Sequence, residues 1–109
     1  MPSYYQSEDL ARFSELSKTN PEHYAKYMAW YAHAMEDGAL PSKVKKLIAL
    51  AAAFAIDEPY CIDSYAKQCL AAGFSPEEMG EAANVVAAIR GGGVVAHWVQ
   101  ACNTLEREE

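Results

Sequence analysis

Positive charge is scarce in this chain. It has 9 lysines and arginines against 15 aspartates and glutamates, and a formal net charge of -6. A general nucleic-acid-binding protein needs a basic face that displaces counterions from phosphates, so we expect no nucleic-acid partner. A bilayer-crossing helix needs roughly 20 consecutive, predominantly apolar residues. We find no uniformly apolar run of that length and expect no membrane partner.

The motifs of several common catalytic and metal sites are also missing. The chain has no Glu-x-x-His motif, no Cys-x-x-Cys pair and no His-x-x-x-His pair, so we expect neither a metal ion nor another cofactor. It has no Gly-x-Ser-x-Gly elbow for a serine nucleophile. The three glycines at 91–93 lack the preceding strand and the following Lys-Ser/Thr pair of a phosphate-binding loop.

Cysteine is present in an odd number, three, and the first ten residues are polar and acidic rather than basic and then apolar. Both features predict a cytoplasmic protein with free or redox-active thiols. Cys61 and Cys69 are 8 residues apart, which on one helix separates their Cα atoms by roughly 12 Å, beyond disulfide reach. A disulfide would need Cys102 or another chain.

Helical signals fill the chain, and no alternating strand pattern interrupts them. Asn20-Pro21 and Ser75-Pro76 combine a cap with a proline at the first helical position, while Gly38 and Gly73 mark helix ends. The sequence predicts an all-α, single-domain protein over residues 1–109, with 1–19 as an N-terminal packing arm and 106–109 as a charged tail. About six helices are expected, starting at Ser7, Pro21, Pro41 or Ser42, Pro59, Pro76 and Val94, with a break at the three glycines.

An aromatic and methionine stripe runs along the second of these helices. Tyr24, Tyr27, Met28, Tyr31 and Met35 recur at spacings of three and four residues. Such a stripe is typical of a buried helix face. We interpret it as core or as a subunit interface rather than as a cofactor site.

Cys61 is the residue on which a chemical function depends. Pro59 at the first helical position places Cys61 in the first turn, where backbone N–H groups and the helix dipole stabilise a thiolate. Glu58, three residues before, and Tyr65, four residues after, can both face the thiol. The negative charge of Glu58 opposes ionisation of the thiol.

Activation of Cys61 therefore requires a cation from another helix, and the candidates are Lys46 and His97. Two simpler interpretations stay open. Cys61 can be a small buried hydrophobic residue. His97, between Ala96 and Trp98 on an apolar helix, can be a hydrogen-bonded core or interface residue.

Three stretches of the chain resemble the alkyl hydroperoxidase D and carboxymuconolactone decarboxylase family. They are the run LPSKVKKLIALAAA at 40–53, the run EPYCIDSY at 58–65 and the run GFSPEEM at 73–79. Further segments resemble the peroxidase-like branch associated with arsenosugar biosynthesis, namely Tyr4-Tyr5, EDGAL at 36–40, PYCID at 59–63 and AAIRGG at 87–92.

This resemblance implies an alkyl-hydroperoxidase-D-like helical bundle that forms a homo-oligomer (dimer, trimer or hexamer), with the site near a subunit interface. Redox members of the family carry Cys-x-x-Cys, a histidine four residues after the second cysteine and a glutamate twelve residues before the first. Here Cys61 matches the second cysteine, while Glu58, Tyr65 and Lys46 occupy the other three positions. Because Glu58 cannot resolve an oxidised Cys61, only a one-cysteine cycle using Cys69, Cys102 or an external thiol remains.

Three functions follow as hypotheses. The first is a peroxidase-like thiol redox protein with Cys61 as nucleophile, Tyr65 and His97 as hydrogen-bonding or acid-base partners, and Lys46 or Glu58 tuning the thiol pKa. The second is a redox-inactive small-molecule binding or accessory protein on the same fold. The third is a lactone-decarboxylase-like enzyme with His97 as proton donor. The expected partners are other copies of the chain and a thiol reductant or small-molecule substrate.

Overall fold

The structure, a computed structural model, describes residues 5–107. A 3₁₀ helix and four α-helices make up this part of the chain, which contains no strand, so the predicted all-α fold is confirmed. Residues 1–4 of the predicted packing arm, Tyr4 among them, and residues 108–109 of the predicted tail lie outside the described residues. In chain order the elements are the 3₁₀ helix Ser7–Lys18, α1 Pro21–Met35, α2 Ser42–Ile56, α3 Pro59–Ala71 and α4 Pro76–Glu106.

Local sequence explains where most of these helices begin and end. At the start of α4 the Ser75 hydroxyl accepts a hydrogen bond from the Glu78 backbone N–H at 3.1 Å, and the Ser75 N–H donates to Glu78 Oε1 at 2.8 Å. These two bonds form a reciprocal capping box at the helix start that the sequence predicts. After α3, Gly73 adopts a left-handed φ of 100°, and Asp57 adopts φ 56° after α2.

The predicted helix break at the three glycines is wrong. The α-helix continues without interruption from Pro76 to Glu106, so the fifth and sixth predicted helices are one, α4. Glycine lowers the stability of a helix by about 1 kcal/mol relative to alanine, but it does not forbid helical dihedral angles. A Cβ atom at Gly91, Gly92 or Gly93 would meet nothing within 4 Å, so no close contact with another residue of 5–107 explains these glycines.

The core is small and lies between α2 and α3. Among the described residues only Leu50, Ala53, Tyr65 and Cys69 are buried, and none of them lies in the 3₁₀ helix, α1 or α4. Apolar burial is the main favourable term in folding. Packing of α2 against α3 therefore holds the centre of the protomer.

A pair of phenol hydroxyls joins α1 to this core. Tyr31 and Tyr65 are hydrogen-bonded through their hydroxyl oxygens. Burial, and next the hydrogen bond to Tyr31, raise the pKa of Tyr65. Tyr65 therefore stays neutral over the physiological range, and α1 gains a polar contact with the buried face of α3.

The protomer is extended rather than compact. Its radius of gyration is 18.8 Å and its principal extents are 60, 39 and 36 Å, whereas a compact domain of 100 residues has a radius of about 13 Å. The long α4 packs on α2 and α3. Near its middle, Arg90 donates to the Phe54 carbonyl at 3.4 Å and lies 3.3 Å from Asp57 Oδ1.

By length and composition alone, α4 is long and apolar enough to cross a membrane. A single helix of this kind is weak evidence, because helices of soluble proteins meet the same criteria. None of the apolar window that meets them is buried within the protomer.

We predict that Leu50→Ala lowers the free energy of unfolding by about 2–5 kcal/mol, because it empties a fully buried site between α2 and α3. The matched control is Ile48→Ala on the same helix, where the side chain is half exposed and the loss should be about 1 kcal/mol or less. Urea denaturation measures both. Equal losses for the two variants would contradict the placement of the core.

A double-mutant cycle tests the bridge between α1 and α3. We expect Tyr31→Phe and Tyr65→Phe each to destabilise the protein, with a coupling energy of about 0.5–1.5 kcal/mol, because either change removes the same hydrogen bond. Denaturant unfolding of the wild type, both single variants and the double variant gives the coupling. Strictly additive losses would show that the two hydroxyls do not interact in solution.

Candidate functional site

A pocket of about 870 Å³ opens between the 3₁₀ helix, α1, the start of α2 and α3. Its walls are mostly apolar and aromatic, and its polar groups lie mainly on α2 and α3, with Asp9 of the 3₁₀ helix in addition. Ligand-binding pockets of proteins share this size and composition. The lining residues include Leu10, Phe13, Tyr27, Met28, Tyr31, Met35, Ser42, Lys46, Glu58, Tyr60, Cys61, Ser64, Tyr65 and Gln68.

One face of α3 supplies most of the polar lining. Cys61, Ser64, Tyr65 and Gln68 follow one another at spacings of three, one and three residues, so they lie on the same side of the helix. The Gln68 side-chain amide donates to the Ser64 hydroxyl at 2.9 Å. This face carries the candidate nucleophile and three hydrogen-bonding groups into one cavity.

Glu58 caps the N-terminus of α3 and brings a negative charge close to Cys61. Its carboxylate accepts a hydrogen bond from the Tyr60 backbone N–H at 2.9 Å. The negative charge thus occupies the position where the helix dipole would otherwise favour a thiolate. Burial first, and the charge of Glu58 second, raise the pKa of the Cys61 thiol.

Lys46 lines the same pocket, but its charge acts elsewhere. Burial raises the pKa of Cys69, and Lys46 partly opposes this effect. No corresponding influence of Lys46 on Cys61 offsets that of Glu58. Within residues 5–107, Lys46 has no carboxylate within ion-pair distance. Its ammonium group is therefore a candidate to bind a polar group of a ligand.

His97 is not brought to this site within the protomer. It lies on α4, where its Nδ1 is 2.8 Å from Gln100 Oε1 on the same helix, and it does not line the pocket. Of the five predicted site residues, the structure therefore gathers Cys61, Tyr65, Lys46 and Glu58 and leaves His97 on an exposed helix surface.

Sequence reasoning missed part of the pocket wall. The sequence predicts Tyr27, Met28, Tyr31 and Met35 to be core or subunit interface. All four line the cavity, and Tyr31 and Met35 also pack against the core. Their spacing predicts that they share one face of α1, but it does not show which other helices lie against that face. The residues of the 3₁₀ helix that close the pocket, Leu10 and Phe13 among them, carried only a pattern of apolar spacing.

The three cysteines are free. Cys69 is fully buried, and Cys102 lies on the last turns of α4, outside the pocket. Within the described part of the chain, no three His, Cys, Asp or Glu side chains are grouped as a metal site would require. A sulfenic acid on Cys61 would therefore find no accessible second cysteine in the pocket of the same protomer.

A family model and a solved structure indicate the same family. Residues 21–103 match the model of the carboxymuconolactone decarboxylase family. The crystal structure of an apo carboxymuconolactone decarboxylase family protein from Legionella pneumophila superposes with a TM-score of 0.71 at 27% identity, covering 92% of this chain and 90% of that one.

Among curated proteins, one named "uncharacterized protein 4 in cox locus" from Paracoccus denitrificans is 37% identical over 70 residues. The matched stretch covers 64% of this chain and 63% of that protein. The family match spans well over half of the chain and includes every helix that forms the core and the pocket's α-helical walls. The chain therefore belongs to the carboxymuconolactone decarboxylase family.

Proposed function

We propose that the protein binds a small organic molecule in the pocket and that Cys61 faces this ligand as a neutral thiol. The observation that carries the proposal is the placement of Cys61 in the cavity beside the Glu58 cap, with its pKa raised by burial and by that carboxylate. A thiolate is the reactive form of cysteine. A thiol kept protonated contributes a hydrogen bond or a soft contact rather than a nucleophile.

The lining defines the chemistry of the ligand. Aromatic and methionine side chains from α1 offer an apolar wall, Lys46, Ser64 and Gln68 of α2 and α3 offer donors, and Asp9 and Glu58 add carboxylates. A molecule with an aromatic or alicyclic body and one polar end fits both surfaces. Three free cysteines support a reducing compartment, so we place the protein in the cytoplasm.

A one-cysteine thiol peroxidase is the second candidate, and one observation favours it. Cys61 is only partly buried and lines the cavity, so a hydroperoxide can reach its sulfur. The Cys61 thiolate would attack the terminal peroxide oxygen and break the O–O bond, giving a sulfenic acid and an alkoxide that takes a proton from water to become an alcohol. One external thiol would then react with the sulfenic acid to form a mixed disulfide with Cys61 and release water. A second external thiol would attack the mixed disulfide, release the disulfide of the two external thiols and regenerate Cys61. The resemblance of residues 59–63 to the peroxidase-like branch supports this alternative.

A lactone-decarboxylase-like reaction has less support than ligand binding or thiol peroxidase activity. That hypothesis used His97 as the proton donor, and His97 lies outside the pocket of its own protomer. The hydroxyls that do line the cavity include those of tyrosines, and the pKa of Tyr65 is raised. A phenol of this kind is not a ready acid at neutral pH.

Peroxide reduction separates the two leading candidates. We expect wild type and Cys61→Ser to consume an organic hydroperoxide at rates within about twofold of each other at neutral pH, because little thiolate is present. Stopped-flow measurement with a small thiol as reductant gives the rates, and Cys102→Ser is the matched control. A wild-type rate about tenfold or more above that of Cys61→Ser, with Cys102→Ser unchanged, would establish the peroxidase instead.

Ligand binding is tested with an aromatic anion, 8-anilinonaphthalene-1-sulfonate, as probe. Ala32 lines the pocket, whereas Ala29 lies on the same helix and does not. We expect Ala32→Phe to fill the cavity and reduce the fluorescence of the bound probe, while Ala29→Phe leaves it unchanged. Binding to other apolar surfaces is common to both variants. Equal fluorescence in the two variants would mean that the probe does not enter the pocket.

A further inference from the structure

The charged side chains that line the pocket lie at two separate ends of it. Lys46 is on the second turn of α2, and Glu58 stands at the start of α3. The Glu58 backbone N–H donates to the Ala53 carbonyl at 3.0 Å, which sets Glu58 at least level with Ala53 along α2. Ala53 follows Lys46 by seven residues, about 10 Å of helix. We call Lys46 with Gln68 the lysine end, and Glu58 with Asp9 the carboxylate end.

The two charges act on different cysteines of α3. Burial raises the pKa of Cys69, and Lys46 opposes this effect. Burial also raises the pKa of Cys61, and the charge of Glu58 raises it further. These cysteines are eight residues apart on one helix, a distance of about 12 Å. The charges are therefore separated along α3 as they are along α2, and the cavity has a positive and a negative end.

The segment that precedes and begins the 3₁₀ helix brings Asp9 to the carboxylate end. The centre of the Tyr5 ring lies 4.5 Å from that of Tyr60, and the Tyr5 hydroxyl donates to Asp63 Oδ2 at 3.0 Å. This segment is therefore held on the first two turns of α3. The Asp9 N–H donates to the Gln6 carbonyl at 2.9 Å, which keeps Asp9 next to that contact. The carboxylate end thus carries two negative charges.

The lysine end carries hydrogen-bond donors. The Lys46 ammonium has three N–H groups and no acceptor, and within residues 5–107 it forms no ion pair. The Gln68 amide donates one hydrogen to the Ser64 hydroxyl at 2.9 Å, so a ligand can accept its second hydrogen. A carboxylate or another anionic group accepts from both side chains, and hydrogen bonds that involve a charged group are stronger than neutral ones.

The carboxylate end has acceptors without a cation. Neither Glu58 nor Asp9 forms an ion pair within the described part of the chain. Glu58 accepts the Tyr60 N–H with Oε1 and keeps Oε2 for a further donor. Glu58, Asp9 and Lys46 are all half-buried, and a partly desolvated charge without a partner is unfavourable. An ammonium group of a ligand would supply the partner of the two carboxylates.

We propose that the ligand is a zwitterion whose cationic and anionic groups stand at opposite ends of an apolar body. Its anionic group binds Lys46 and Gln68, and its ammonium group binds Glu58 and Asp9. The aromatic and methionine side chains of α1 contact the apolar body between these groups. This inference rests on the proposed function, ligand binding in the pocket, and adds a second charged group to that ligand.

Ligands with other arrangements of charge satisfy only one end. An α-amino acid carries its ammonium and carboxylate groups on the same carbon, so it cannot reach from Lys46 to Glu58. A simple carboxylate leaves the two negative charges of the pocket unpaired, and a simple amine leaves Lys46 unpaired. Between the ends, Tyr31 is hydrogen-bonded to Tyr65 midway along the pocket face of α3. An apolar group therefore fits the middle of the cavity better than a charge does.

Two isomeric zwitterions test the separation of the charges. In para-(aminomethyl)benzoate the ammonium and carboxylate groups lie at opposite ends of a benzene ring, and in phenylglycine they share one carbon. A third compound, para-ethylbenzoate, keeps the ring and the carboxylate and has a methyl group in place of the ammonium. We expect para-(aminomethyl)benzoate to bind the full chain about tenfold more tightly than either of the others, because it alone gains a charged contact at each end. Ligand-observed NMR titration at neutral pH gives the dissociation constants.

Variants assign each contact to its end of the pocket. Lys46→Met keeps an apolar stem and should weaken the binding of para-(aminomethyl)benzoate and para-ethylbenzoate alike. Glu58→Gln, which keeps an oxygen to cap α3, should reduce the preference for para-(aminomethyl)benzoate over para-ethylbenzoate, and Asp9→Asn should do the same. The matched control is Lys43→Met, on α2 but outside the pocket, and it should change neither affinity nor preference. Circular dichroism checks that each variant is folded.

Equal wild-type affinities for para-(aminomethyl)benzoate and para-ethylbenzoate would overturn the cationic contact, and equal affinities for the two isomers would overturn the separation of the charges. Either result, with binding that Ala32→Phe abolishes, would leave ligand binding in the pocket intact. Binding of all three compounds that Ala32→Phe does not change, or no binding at all, would contradict the proposed function together with this inference.

Discussion

The contact of Leu50 with Tyr65 and Cys69 is the interaction on which the rest of the structure depends, because it holds α2 against α3. The buried face of α3 continues directly into the face that carries Cys61 and Ser64 into the pocket. Tyr65 belongs to both, since its ring is buried in the core and its hydroxyl holds Tyr31 of α1. The geometry of the candidate site is therefore fixed by the same few side chains that stabilise the fold.

A cysteine near a helix N-terminus is usually a candidate for activation, and here a neighbouring residue reverses that expectation. Glu58 accepts a hydrogen bond from the first turn of α3 and places a carboxylate where the dipole would stabilise an anion. Burial raises the pKa of the Cys61 thiol most, and the charge of Glu58 raises it further. The same position, Glu58, is where redox relatives carry their first motif cysteine according to the resemblance. Glu58 therefore has two effects. It stands in place of the resolving cysteine, and its charge disfavours ionisation of the Cys61 thiol.

Local signals in the sequence predicted the parts of the structure that are decided within one turn. The Ser75 capping box and the prolines at 21, 59 and 76 place helix starts for this reason. The helix break predicted at the three glycines was wrong because glycine only lowers helix stability, and the other residues of a long helix can offset that loss. For the site, helical spacing predicted that Glu58 and Tyr65 lie close to Cys61. The position of Lys46 in the pocket, the role of Tyr31 and the distance of His97 depend on how whole helices pack.

We propose that burial and the charge of Glu58 keep Cys61 a neutral thiol in the pocket. The most direct measurement is the pH titration of the Cys61 ¹³Cβ chemical shift by NMR, compared between wild type and Glu58→Gln, which keeps an oxygen to cap the helix. We expect the wild-type pKa to lie above the ordinary cysteine value of 9.0 and to fall in Glu58→Gln, because removing a nearby negative charge favours the thiolate. A wild-type transition below neutral pH would contradict the account.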